Sequence, residues 1–466
     1  MLRILLVWLA ALNTLTPVTA RLRAGAATAD ITPVDWPVRL IGNFGLTLSK
    51  EAHDPLQART LVLEDGGVKV ALVLVDSCYV KREELDRIKA LAARRTGIPA
   101  ERMLISATHT HSAPPSRARP GDAREAAYVE RLITQTAEAI FAAHAKLAPA
   151  RIGWTVVPVG DELFNRRWFM RPGTIPPNPY GDTNDLVRMN PPGGSPDLQH
   201  PAGGTDPGFS IVSVQTAAGA PLALLGNYSL HYVGGVPGSS VSADYFGEFA
   251  RQVAAQMKGA VVMLTNGTSG DVNNIDFLHP RSRQDPFVRI GEVAGKLAAQ
   301  AVAAAGRLRY EDTLPIRMAE TELRLRIRQP TAEQLKFAEA ALAAPASDEA
   351  KLPRNAKAYA ERAIQLKSGP GHVDIKLQAL RIGELGIAAI PFEVFTETGL
   401  TLKELSPFAT TFTIELANGH YGYLPTPRHF ALGGYETWLG TSNMEPEASV
   451  KITRTLLELF ERIHSR

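Results

Sequence analysis

Four short stretches of this chain carry side chains that could bind a metal ion or move a proton, and each follows an apolar run. His109 and His111 stand two apart in Ser106-Ala-Thr-His-Thr-His-Ser112. His231 closes Asn227-Tyr-Ser-Leu-His231, and Glu393 closes Ile390-Pro-Phe-Glu393. Tyr421 and Tyr423 sit in Ala417-Asn-Gly-His-Tyr-Gly-Tyr-Leu-Pro425. Two neutral imidazoles, a carboxylate and a phenolate oxygen form a donor set that suits zinc and leaves a position for water. Zinc lowers the pKa of such a water to about 7, which makes hydroxide available for attack on a carbonyl. Each group also has an ordinary reading. A His-x-His pair is often two surface histidines, and His231 could be a core histidine bonded to a carbonyl. Glu393 could be a helix N-terminal carboxylate favoured by the macrodipole, and the tyrosines could fill a loop. Periodicity does not show that the four stretches converge.

The elements that must position these groups alternate between strands and helices. Residues 103–107 read as a buried strand, and the i, i+2 spacing of an extended chain would send both imidazoles to one side of its end. Residues 21–30 predict a first strand, and 60–63 with 68–76 a hairpin around Asp65-Gly-Gly67. Helical spacing covers 82–95 with Gly97 as a stop, and 123–147 closed by Pro149. Residues 210–215 and 222–230 predict a second hairpin, 243–257 a helix and 260–265 a buried strand. An Ala-rich helix covers 286–305. Alternating runs at 316–323 and 325–327 lead to a polar helical pair at 331–367, expected to be peripheral. Strands follow at 373–382, 385–390 and 410–416, with a helix opened by Pro391-Phe-Glu393 running to 405. Residues 417–443 form a Gly- and Tyr-rich loop, and 448–466 a terminal amphipathic helix. The span 158–208 is rich in Pro and Gly, and its Phe164, Trp168, Phe169 and Tyr180 favour the wall of a pocket. The fold class is α/β, mixed β-sheets layered with flanking helices, with a metal site at strand ends.

Composition excludes several classes. A net charge of +3 with no long basic run gives no footprint for nucleic acid or a strongly anionic membrane. Residues 1–20 open with one positive charge, continue apolar and end in Val18-Thr-Ala20, the pattern of a cleaved secretory signal peptide. The product would be secreted or periplasmic. Cys78 is the only cysteine, so no disulfide within the chain is available, and the thiol reads as a small buried hydrophobe. Residues 21–466 would form the working domain.

The motifs together resemble the catalytic domain of the neutral/alkaline ceramidase family. They run in that family's order from about residue 23 to 445: Asp30-Ile-Thr-Pro33, Ser106 to Ser112, Asn165-Arg166, His231, Ser242-Ala-Asp-Tyr245, Ser269-Gly-Asp-Val272, Pro391-Phe-Glu393, and Asn418 to Tyr423 followed by Tyr435-Glu436. The resemblance implies a zinc-dependent amidase that cleaves an N-acyl bond, as of ceramide. It implies His109, His231, Glu393 and Tyr423 as zinc ligands. It implies His111 for proton transfer and Arg166 for contact with substrate or oxyanion. Gly270 and Asp271 would shape the turn near the metal, and Tyr421 stays among the catalytic candidates. Two departures stand out. Where the family reads Gly-Asp-Val-Ser-Pro-Asn, this chain reads Gly270-Asp-Val-Asn-Asn274. Asn273 therefore replaces a serine and cannot be a nucleophile; metal-activated water would attack, with Asn273 holding the substrate carbonyl. The family's C-terminal immunoglobulin-like domain is also expected to be absent.

The reading is a zinc amidohydrolase acting on a small-molecule or lipid amide, with transient contact to a membrane surface and the oligomeric state left open. Two alternatives stand beside it. One is a zinc hydrolase of another ester or amide, such as a cell-wall or sugar derivative. The other is a metal-stabilised binding protein without catalysis.

Overall fold

The computed structural model describes residues 22–42, 45–238 and 240–465. The leader read at 1–20 lies outside the described residues. Two sheets face each other. The larger has eight strands in the order Val261–Asn266, Pro221–Tyr228, Gly208–Thr216, Ala148–Pro158, Arg23–Asp30, Gln57–Asp65, Val68–Val75 and Met103–Ala107. It is antiparallel except for the parallel pair at each edge. The smaller has four strands, Ile316–Arg326, His372–Ile382, Leu385–Ala389 and Thr410–Ile414.

Alternation within apolar strands explains the layering. Leu72 and Leu74 face the smaller sheet, where they meet Leu380, Ile387 and Phe412. Ala71, Val73 and Val75 point the other way, onto the helices Arg82–Thr96 and Ala123–Ala145. A strand buried on both faces reads as a continuous apolar run, as 70–75 does. Helices Asp244–Gln256 and Val288–Ala305 cover the other half of the large sheet. Helices Thr396–Leu405 and Ala448–His464 cover the outer face of the small one. Among the described residues no helix is long and apolar enough to cross a membrane.

The large sheet coils with the usual strand twist. Its edge strand Val261–Asn266 is thereby brought close to Gln57–Asp65, Val68–Val75 and Met103–Ala107, strands of the opposite half of the sheet. The segment after Thr410–Ile414 is spliced into the gap. Glu415 N–H donates to Asn266 O at one edge, while Leu416 O accepts from Ala107 and Asn418 N–H donates to Ile105 O at the other. Strand ends that are far apart in the sheet order thus meet around residues 415–418.

The structure differs from the sequence reading in four places. The 158–208 stretch carries a three-stranded sheet, Val187–Met189, Arg167–Met170 and Leu198–Pro201. Its aromatics pack locally: Trp168 lies edge-on to Phe277, and Tyr180 packs against Phe337 and Tyr359 of the helical pair. Pro391-Phe-Glu393 does not open a helix. Glu393–Val394 is a short strand paired in parallel with Tyr423–Leu424, and the helix begins at Thr396. The strand Ala148–Pro158 has no clear sequence signature, because Pro149, Gly153 and Pro158 break its pattern; Pro149 is tolerated at the strand's start. The alternating runs at 316–327 are one strand, Ile316–Arg326.

Candidate metal centre

His109 follows the edge strand Met103–Ala107, but not as an extended residue. Its φ is 75°, in the left-handed region, which histidine tolerates better than most side chains. Its N–H donates to Ser77 O, and the preceding Thr108 N–H to Val75 O, which fixes the turn. The same-side argument from i, i+2 spacing therefore does not apply; the turn brings His109 and His111 edge to face, with centroids 4.7 Å apart. His231 arrives from the other side, three residues past Pro221–Tyr228.

Three imidazole Nε2 atoms gather here. His109 Nε2 is 2.9 Å from His231 Nε2 and 3.2 Å from His111 Nε2. The opposite ring nitrogens settle the tautomers. His109 Nδ1 donates to Cys78 O at 2.8 Å, and His231 Nδ1 to Ser269 O at 3.1 Å. Both Nε2 atoms are consequently the ones left to face each other, with room for at most one proton or one cation between them. A carbonyl behind each ring is the usual support of a metal-binding histidine. Cys78 Sγ also lies 3.7 Å from His109 Nδ1, but that face of the ring is taken by the carbonyl.

Glu393 completes the cluster. Its Oε2 lies 3.4 Å from His109 Nε2 and 3.8 Å from His231 Nε2. This buried oxygen has no hydrogen-bond partner among the described residues. An orphaned carboxylate oxygen facing two imidazole Nε2 atoms fits a divalent cation, and mixed N and O donors fit zinc. Tyr423 stands beside Glu393 in the parallel strand register, and the Arg166 guanidinium lies 5.3 Å from the centre of its ring.

Charge and burial act together. Burial alone would raise the Glu393 carboxyl, but His109, His420 and His231 hold it well below the usual range. Burial, then His109, pushes the His111 and His231 imidazoles well below theirs. Burial also works against His109, but Cys78 and Glu393 outweigh it and hold that ring well above the ordinary value. Burial and the Glu393 charge push the Tyr423 phenol well up.

The remaining sequence candidates occupy the frame. Arg166 donates from Nε to Glu436 Oε1 at 2.9 Å and from Nη2 to Gly270 O at 2.9 Å. Arg167 holds the other Glu436 oxygen at 2.6 Å. Asp271 accepts from Thr396 N–H and hydroxyl at 2.9 Å each and from Asn165 Nδ2 at 2.9 Å, and its carbonyl accepts from Arg166 N–H. It braces the turn. Gly270 N–H donates to Val394 O, and a Cβ there would sit 2.7 Å from Glu393 O, so only glycine permits this approach. Asn273 donates to Asn190 Oδ1 at 2.7 Å and accepts from Ile275 N–H at 2.9 Å, so both ends of its amide are engaged within the protein. The Tyr421 ring packs on Phe392, and burial pushes its phenol up.

Two residues of the site were not singled out in the sequence. His420 Nε2 is 3.2 Å from Glu393 Oε1, its ring stacks on Tyr79 at 4.2 Å, and burial lowers it to about 4. Its place beside two tyrosines in a site loop was the available signal. Glu415 accepts from the Ser269 hydroxyl at 2.6 Å and from Val394 N–H at 2.6 Å, so it steadies the carbonyl partner of His231 and the neighbour of Glu393 together. Nothing in the sequence marked it.

No protein-family model matches the chain, and no curated protein does. Solved structures do. The chain superposes on neutral ceramidase from Pseudomonas aeruginosa with a TM-score of 0.71 at 19% identity, covering 95% of this chain and 75% of that one. The chain has the neutral ceramidase fold. A ceramidase in complex with C2 matches likewise, with a TM-score of 0.71 at 16% identity over 96% of this chain and 76% of that one. The fold thus carries here a buried His109, His231 and Glu393 cluster, with His111 beside it, at strand ends.

Proposed function

We propose that the protein is a zinc-dependent hydrolase that cleaves an N-acyl amide bond with water and acts after export. The observation that carries this reading is the meeting of His109 Nε2, His231 Nε2 and the unpartnered Glu393 Oε2, with Tyr423 beside them. These four residues would hold the ion, which when bound supplies a Lewis acid and lowers the pKa of a water molecule.

The chain's own residues do the rest. His111, kept neutral by burial, takes a proton at Nε2 from the attacking water and returns it to the departing amine. Arg166, fixed by Glu436 and Gly270, and the Tyr423 hydroxyl face the oxygen that gains charge as the carbonyl becomes tetrahedral. Water replaces a serine nucleophile, because Asn273 offers only an amide. Glu415, Asp271 and Gly270 keep the ligand-bearing segments in register.

A cavity of about 790 Å³ opens beside Glu393, His420 and Tyr423. Its lining mixes tyrosines and cations with a few aliphatic side chains such as Leu40 and Met444. This favours a polar amide over a long-chain sphingolipid and supports the second reading, hydrolysis of a more polar ester or amide. The test is amine release from short- and long-chain N-acyl compounds by metal-loaded protein, chelator-stripped protein and stripped protein given zinc again. The proposal expects loss on stripping and recovery on return. Turnover that survives complete stripping would contradict it.

A further inference from the structure

Two cations line the cavity beside Glu393 and have no carboxylate to pair with among the described residues. Lys81 stands just before the helix Arg82–Thr96, and Arg362 lies on Ala356–Ser368. The Lys81 ammonium donates to His420 O at 3.3 Å and sits 4.9 Å from the centre of the Tyr79 ring. The Arg362 guanidinium donates to Gly440 O at 3.2 Å and lies 4.9 Å from the Tyr359 ring. The third cation of the lining, Arg39, is spent on Glu125 at 2.8 Å. The acid whose charge most favours Lys81, Glu84, is itself paired with Arg117 at 3.2 Å. Among the described residues Glu393 is the only carboxylate on the cavity wall, and a bound cation would neutralise it.

Half-buried cations are normally paired, because removing them from water without a counter-charge is costly. Here each rests on an aromatic face and one carbonyl and keeps donors free. Arg362 has most of its planar fork unspent, a geometry that matches a carboxylate. The Lys81 contact leads directly to the cluster: its acceptor belongs to His420, whose ring touches Glu393.

We infer that this cavity binds substrates whose amide lies next to an anionic group, and that Lys81 and Arg362 recognise that group. The inference rests on the hydrolase reading and names its substrate class: an N-acyl compound with a carboxylate close to the scissile bond, such as an N-acyl amino acid. Both residues are positioning and specificity residues.

The test uses N-hexanoyl-glycine and its neutral counterpart N-hexanoyl-ethanolamine. Binding is measured by calorimetry and turnover by amine release, on metal-loaded wild type, Lys81→Met and Arg362→Met. The glycine compound should bind about tenfold or more tightly, as expected when a charged donor gains a partner. The preference should shrink with added salt, and each substitution should bring the anionic-to-neutral ratio toward one. Salt dependence on wild type gives a readout that needs no variant to fold. Equal or weaker binding of the glycine compound, or a preference unchanged in both variants, would overturn the inference. Charge-selective binding without turnover of either compound would keep the inference and remove the hydrolase reading. Equal turnover of both would do the reverse.

Discussion

His109 and His231 follow strands near opposite edges of one eight-stranded sheet, and their Nε2 atoms stand 2.9 Å apart. The coil of the sheet makes this meeting, and the splice of residues 415–418 between Asn266 and Ile105 secures it. The candidate metal centre is therefore a property of tertiary closure, and substitutions that loosen the closure should weaken metal binding there.

Gly270→Ala tests this without replacing a ligand. Its Cβ would collide with Glu393 O at 2.7 Å. Overpacking of this kind costs about 1–3 kcal/mol, read by urea unfolding, and zinc affinity should fall as Glu393 moves. A variant with wild-type stability and affinity would show that the approach is not confining.

His420 holds Glu393 from the side away from His109. His420→Ala should weaken zinc by about 10–100-fold, the usual cost of losing an outer support, measured by competition with a chromogenic chelator. No change would reduce His420 to a packing residue.

The buried pair Arg59–Asp76, 2.8 Å apart, ties the hairpin strands beneath the site. Asp76→Ala strands a buried guanidinium and should cost about 3–5 kcal/mol in chemical unfolding. The double change Arg59→Met with Asp76→Leu should cost much less.

Lys89 gives a pH prediction. It is buried, donates to Asn418 Oδ1 at 2.8 Å, and burial lowers it to about 8 from the ordinary 10.5. Between these values the unfolded chain binds more protons than the folded one, so stability rises with pH there. The stability of the wild type relative to Lys89→Met should rise from pH 8 to 10.5, by about 3 kcal/mol at roughly 1.4 kcal/mol per unit. Below pH 8 the difference should be flat. A flat difference throughout would mean that the ammonium is not desolvated.

The layered α/β architecture and most strand ends were legible in the sequence, because strands buried on both faces leave unbroken apolar runs. His109, His231, Glu393 and the pair Tyr421 and Tyr423 were legible as polar groups following such runs, while Tyr423 in preference to Tyr421 came from the family resemblance. Their convergence was not, since it depends on sheet coiling and on contacts across more than a hundred residues. His420 was visible but overshadowed by its neighbouring tyrosines. Glu415 left no trace, because a buried acid that accepts from a serine hydroxyl and a backbone N–H looks like any other acid. That Lys81 and Arg362 have no carboxylate partner among the described residues emerges only when the acids nearby have been assigned elsewhere.

The most direct measurement is the zinc content of the purified protein by mass spectrometry, for wild type and for His231→Ala. The account predicts about one zinc per wild-type chain, tightly held, and loss of that zinc in the variant. A wild-type protein without stoichiometric divalent metal after incubation with zinc, or a variant that retains it unchanged, would contradict the account.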